Sequence, residues 1–427
     1  MAEGERDKAP GLRRELGLSD AVGIGFGAIV GAGIFAVTGI AAGVAGPAVL
    51  LALPLAGVAA TANALSSAEL AASYPQAGGT YEYGYRVLHP WAGFAAGWMF
   101  LASKTAAAGT VGLAIAAYLE RIAPGLPGRA VAVVAVVLFT AVNALGIRKS
   151  SAVNLGIVAV ATAVLLAFSA VGVARFDASH LHPLMPPSGA GGVLRAAALL
   201  FFAYTGYARV ATLGEEVREP RRTIPRAILI TVAGVSVLYL LVTAAAVGSV
   251  GAEVLARTDA PLAEAARAMG MPELEVIVSA GAVCAMLGVL LSQLLGLSRM
   301  VFAMARRGDL PRPLAKVDAR SGAPRRAVVL VGAGAALAAA FGTLRAIAPA
   351  ASFAILLYYA LANLAALRMP REGRLYPDAV PAVGLAACAL LAASIPPRTM
   401  GVGIAVLAAG FIVRAAARTL AGPAGGD

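Results

Sequence analysis

Charge is what this chain has least of. Only 13% of its 427 residues are Asp, Glu, Lys or Arg, about half the share of a soluble domain. With 60% hydrophobic residues and a mean hydropathy of +0.83, it has too little polar surface to coat a water-soluble globule. Cysteine is almost missing. Cys284 and Cys388 both fall inside apolar runs, which excludes a disulfide framework and a cysteine-built metal site. The three histidines, His89, His180 and His182, fall in the connections and read as surface residues, poor candidates for a proton path. No stretch between the apolar runs is long enough for a soluble enzyme domain, so neither catalysis nor a cofactor or metal is expected. The first 19 residues are polar and the next apolar run exceeds a leader's core, so the first helix is expected to serve as its own insertion signal.

What is present is apolar length. Twelve apolar spans can be drawn, at about 18–44, 47–73, 91–119, 129–147, 151–175, 193–215, 224–250, 274–304, 327–344, 348–368, 379–396 and 399–419. A crossing helix needs about 20 residues, so the chain reads as an all-α integral membrane protein of about twelve transmembrane helices. Residues 74–88, YPQAGGTYEYGYRVL, mix aromatic and polar groups as a helix lying at the interface does. Residues 251–273 form a longer charged connection.

The net charge of +12 has a simple explanation. With the N-terminus inside, the inner segments hold 23 of the 34 Lys and Arg, the outer segments hold eight, and Lys104, Arg209 and Arg299 remain within or near the bilayer. The positive-inside bias places both termini in the cytoplasm of a plasma-membrane protein. The basic excess is a topology signal, and a nucleic-acid partner is not expected.

Glycine is placed where a crossing helix should be continuous. Eight glycines lie from Gly23 to Gly46, each weakening a helix by about 1 kcal/mol relative to alanine. Gly31 and Gly33 interrupt span one; Gly206 interrupts span six beside Ala203, Tyr204 and Thr205. Each break opens a five-helix half, 18–175 and 193–368, with a two-helix appendix at 379–419 between the arm 1–17 and the tail 420–427. Five is odd, so the second half enters the bilayer inverted, the pattern of an inverted repeat with discontinuous helices at its midplane. Hydrocarbon cannot satisfy the backbone groups a break releases, so they must line a cavity. The outer half of span one starts near Gly33, and its free N–H groups and positive dipole end suit a carboxylate. The carbonyl ends near Val30 and Ala203 suit an ammonium. Together they form a receptor for an amino acid zwitterion. The competing reading is that Gly27 and Gly31, a G-x-x-x-G pair, only pack helices.

At this point the residues resemble a known family. GAIVGAGIF (27–35), the run GPAVLLALPLAGVAATANALSSAELAASYPQAGGTYEY, FFAYTGYARVATLGEEVREPRRTIPRAI and LGLSRMVFAMARRGDLP (295–311) are similar to the amino acid–polyamine–organocation permeases, over about residues 15–370. The resemblance implies a leucine-transporter-type fold of five plus five helices working by alternating access. It implies that Gly31, Ala32, Gly33 and Ile34 meet a substrate carboxylate, and that Phe202, Ala203, Tyr204 and Gly206 surround its amino group and side chain. Departures narrow the substrate. Ala208 stands where many relatives carry an acid after the sixth-span break, Ser103 where many carry a glutamate, and Ala161 near the place of a fifth-span lysine. A small or medium neutral amino acid is therefore favoured, with an amine or polyamine carrier, or an exchanger, as the alternative. CAMLGVLL (284–291) offers no hydroxyl of the kind sodium sites in this fold borrow from span eight, so protons are the expected coupling ion.

Lys104 lies near the middle of span three with no carboxylate at comparable depth. An unpaired ammonium there is expensive, and intramembrane charge usually has a partner. It reads either as the proton-coupling group, or a fixed cation in place of a metal, or as a structural lysine bonded to the carbonyls of a broken helix. Arg209, a turn beyond the second break, is a gate candidate with Glu69 or Glu215 as its partner. Its alternative is a basic residue facing cytoplasmic water.

Overall fold

The structure is a computed structural model that describes residues 16–74, 78–146, 151–185, 188–211, 217–318, 321–372 and 374–420. Among them there is no β-sheet; a single parallel bridge pairs Leu16 with Val217. Eight helical segments are long and apolar enough to cross a membrane, and the first of these, Leu18–Ser73, folds back on itself. Gly46 makes that corner at φ +58°, a conformation that favours glycine, and Pro47 follows in a short 3₁₀ turn. Two shorter apolar helices, Gly128–Ala144 and Ala379–Ala393, accompany them.

In chain order the helices are α1 (Leu18–Ile29), α2 (Thr38–Ala45), α3 (Val49–Ser73), α4 (Thr80–Tyr83), α5 (Pro90–Ile122), α6 (Gly128–Ala144), α7 (Ser151–Ala174), α8 (Gly189–Tyr204), α9 (Ala208–Ala211), α10 (Pro220–Val250), α11 (Ala252–Ala256), α12 (Pro261–Ala268), α13 (Pro272–Arg306), α14 (Arg325–Phe341), α15 (Leu344–Arg368), α16 (Ala379–Ala393) and α17 (Pro397–Leu420). Proline opens α5, α10, α12 and α13, where its missing N–H costs nothing and its fixed φ suits the first turn. The centre is built from α1 to α3, α5, α8, α10, α13 and α15, whose facing residues are Ala, Gly, Leu and Val with the fully buried Tyr118, Tyr204, Tyr239 and Tyr359 among them. Small residues let helices approach closely where no hydrophobic force drives them together in lipid. Outward faces carry Leu, Val and Ile, such as Val58, Val134 and Val237.

Within the 74–88 segment, Thr80 to Leu88 are helical. From Thr80 to Gly84 it is buried against α5, and a π-helical turn, Gly84–Leu88, completes it. A charged hub holds it there. Asp309, just beyond α13, is fully buried and accepts from Arg414 Nε at 2.8 Å and Arg418 at 3.2 Å on one oxygen. Its other oxygen accepts from Tyr81 at 2.7 Å and from Tyr85. Arg414 is itself 2% exposed and lies over the rings of Trp91 and Phe94, 5.0 and 4.9 Å from their centroids. Glu82 beside it takes Arg86 and Arg307 at 2.7 and 2.6 Å. Burial and the Asp309 carboxylate push the Tyr85 phenol up to about 12, so it stays a donor throughout the physiological range. The hub ties α17 to α4 and to the end of α13. Removing one partner of a buried pair strands the other and costs about 3–5 kcal/mol, whereas exposed pairs contribute less than about 1 kcal/mol. Asp309→Ala is therefore expected to lower the melting temperature of the detergent-solubilised protein markedly. Arg371→Ala, which removes an exposed pair with Asp378, is expected to leave it within error.

Candidate functional site at two helix breaks

The first break is where the sequence places it. Val30 turns to ψ 102° and ends α1, and the chain resumes as a π-helical turn, Gly33–Val37, running into α2. Among the described residues no acceptor is found for the backbone N–H groups of Gly31, Ala32, Gly33 or Ile34; the first bond beyond the break is Phe35 N–H to Gly31 O at 3.3 Å. Every residue from Ile29 to Ala42 is buried. Four buried donors at the start of a half-helix call for an anionic partner.

The second break is gentler. α8 ends at Tyr204, a single 3₁₀ turn spans Thr205–Tyr207, and α9 follows. Gly206 sits in that turn, and the two breaks touch there. A Cβ on Gly206 would come 2.1 Å from Ala28 O, and one on Gly33 would come 2.5 Å from the Cβ of Ala203. Gly31 faces Val289 of α13 at 2.8 Å in the same sense. These glycines thus serve close packing at the place where the helix is interrupted. Phe202 and Ala203 are buried at the crossing. Tyr204 is turned elsewhere: its hydroxyl lies 3.6 Å from where a Cβ on Gly57 would sit, so its side chain faces α3 rather than the first break.

The carbonyl ends are satisfied by side chains from other helices. Tyr239 of α10, fully buried, donates its hydroxyl toward Ile29 O at 3.0 Å and Ala203 O at 3.5 Å, reaching one carbonyl from each break. Its ring packs on Tyr204 with centroids 5.4 Å apart. Thr205 donates to Phe202 O at 2.8 Å. Lys104 of α5 reaches the second break, with Nζ 2.8 Å from Thr205 Oγ1 and 3.4 Å from Thr205 O. Gln293 of α13 in turn donates to the carbonyl of Lys104. No ion pair to Lys104 occurs among the described residues.

The gate candidates separate. Arg209 on α9 lies against α13, its Nη1 3.7 Å from where a Cβ on Gly296 would sit. Glu69 is 1% exposed and turns to another connection: its Oε1 accepts the N–H of Leu375 at 3.0 Å, and its Oε2 has no hydrogen-bond partner. Glu215 lies outside the described residues. Tyr239 escaped the sequence reading because a tyrosine in VLYLLV has the same apolar spacing as a core residue; only its hydroxyl's position marks it.

The chain belongs to the amino acid permease family, whose model matches residues 20–419. It is a multi-pass membrane transporter of that family. It is similar to an uncharacterized transporter of Mycobacterium tuberculosis, 45% identical over 409 residues, covering 95% of this chain and 91% of that protein. The branched-chain amino acid permease BcaP of Bacillus subtilis is 31% identical over 381 residues, 84% of this chain and 82% of its own. A methylthioribose transporter of the same organism is 31% identical over 386 residues, with 86% and 83% covered.

Gly206→Ala must push the α8–α9 turn off α1 and is expected to lower thermal stability by several degrees. Gly191→Ala, with open space around its Cβ position, is expected to change nothing. Tyr239→Phe leaves two carbonyls without their donor, a loss of about 1–3 kcal/mol, and is expected to show as a lower melting temperature with the chain still monodisperse on size-exclusion chromatography.

Proposed function

We propose that this protein carries a neutral amino acid of small or medium size across the plasma membrane by alternating access, driven by a proton gradient. The observation that carries the reading is the set of four unpartnered N–H groups at residues 31–34, buried where the two breaks meet. They match a carboxylate in charge, number and direction. The carbonyl ends beside them keep a second lone pair each for an ammonium. A ligand with an ammonium but no carboxylate would leave the four donors unpaired, which disfavours a polyamine.

In this reading the chain crosses twelve times, with 18–175 and 193–368 as inverted halves and 379–419 as the appendix, and both termini face the cytoplasm. Gly31 to Ile34 take the carboxylate, and Phe202 and Ala203 take the amino group and the start of the side chain. Tyr204 and Gly206 shape the second break from behind. Lys104 is the proton-coupling group. Its ammonium bonds to Thr205 on the second break, so a change in its protonation is felt where the substrate sits. Its charge also disfavours a cationic side chain in the same space. Sodium has no hydroxyl partner along Cys284–Leu291. Arg209, and Glu215 after it, are read as part of the cytoplasmic gate. Glu69, engaged with Leu375, is read as a brace of that face.

The test is uptake into proteoliposomes across the common amino acids, with and without an inward proton gradient. Wild type is expected to accumulate a neutral amino acid only with the gradient. Lys104→Ala is expected to keep binding and counterflow exchange while losing gradient-driven accumulation. Accumulation surviving in Lys104→Ala would return that lysine to a structural role. Transport of amines in place of any amino acid would overturn the zwitterion site. Exchange alone, indifferent to the gradient in the wild type, would make the protein an exchanger.

A further inference from the structure

On the face away from the termini, α11 and α12 form a short hairpin over the second half of the broken helix. Gly39 of α2 lies so close beneath it that a Cβ would come 2.6 Å from Leu255 O, and one on Gly43 would come 3.1 Å from Ala256. Tyr118, fully buried near the end of α5, seals the seam. Its hydroxyl donates to Phe35 O at 2.5 Å and accepts the N–H of Leu262 at 3.3 Å, so one atom joins the first break's outer half to the hairpin. One turn further out, Arg121 meets Glu264 of α12 at 2.6 Å and Glu275 of α13 at 3.5 Å, and donates to Thr258 at 3.0 Å. Thr258 caps the hairpin turn by accepting from Ala260 N–H at 3.1 Å.

We propose that Arg121, Glu264 and Glu275 form an ionic latch that holds this hairpin closed over the site and must open to admit substrate from that face. The proposal rests on the alternating-access reading for its purpose. α5 and α13 are long framework helices, whereas α12 is eight residues long, and Arg121 of α5 bridges a carboxylate on each of α12 and α13. The three side chains are 20%, 30% and 12% exposed. Partly hydrated pairs of this kind hold weakly and are screened by salt, which suits a closure that must be reversible. Beneath it, the Tyr118 bonds and the buried Leu255 and Leu262 make the seal dry once the latch is shut.

The experiment uses the full chain with Cys284 and Cys388 replaced by Ala and Ser, and with Leu262→Cys as a reporter under the hairpin. An impermeant maleimide is applied from the side of the hairpin to reconstituted protein. Labelling is expected to be slow with the latch intact. It should rise roughly three- to tenfold in Arg121→Gln, and rise in the intact latch when salt is raised from low to molar. The charge-reversed set Arg121→Glu, Glu264→Arg and Glu275→Gln should restore slow labelling, which a merely misfolded Arg121→Gln would not allow. An unchanged rate in Arg121→Gln, or a reversed set as fast as Arg121→Gln, would overturn the latch. Labelling requires no substrate, so the outcome is independent of whether the amino acid assignment holds.

Discussion

A backbone polar group released inside hydrocarbon must find a partner within the protein. Much of this structure follows from that demand at the two helix breaks. At the carbonyl ends, α10 supplies Tyr239 to Ile29 and Ala203, and α5 supplies Lys104 to Thr205. At the N–H end between Gly31 and Ile34 no acceptor is found among the described residues. The asymmetry is informative. A protein that can satisfy the acceptors of both breaks with long polar side chains could have satisfied the donors too. We read the open, buried donors as the place of a ligand that brings its own negative charge.

The same crossing explains why glycine cannot be replaced by any other small residue there. Gly206 and Gly33 each stand where a single added carbon would collide with the opposite break. The two interrupted segments are therefore in direct contact. Lys104 and Gln293 extend that contact into α5 and α13, the helices that also carry the two ends of the proposed latch. The proposed site, coupling residue and closure thus share two helices.

Much of this was legible in the residues, for physical reasons. Hydrocarbon length is written in apolar runs, and helix breaks in glycines that lipid-facing packing would not place so densely. Lys104 announced itself because charge at that depth is rare. The partners were not legible. Tyr239, Tyr118 and Tyr81 sit at spacings indistinguishable from core aromatics, and their hydroxyls acquire meaning only when another helix brings a carbonyl or carboxylate to them. The Asp309 hub joins residues more than two hundred positions apart, beyond the reach of any local pattern. The bonds of Tyr81 and Tyr85 to Asp309 were likewise hidden, because a carboxylate so far along the chain leaves no mark on the 74–88 segment. Glu69 differed too, because a glutamate near a helix end looks the same whether it meets an arginine or a loop amide.

The two charged clusters at opposite faces make a useful contrast. Both join a framework helix to a peripheral element through arginine and carboxylate. Asp309 and Arg414 are almost wholly excluded from water, with aromatic rings stacked on the guanidinium. Breaking that pair would strand a buried charge, so the geometry is fixed and α17 behaves as part of the frame. Arg121 keeps water at its pairs with Glu264 and Glu275, and hydration repays much of what separation costs. Chemically the two are alike. Solvent access alone makes one a rivet and the other a latch, and it assigns the moving closure to the face where the hairpin lies.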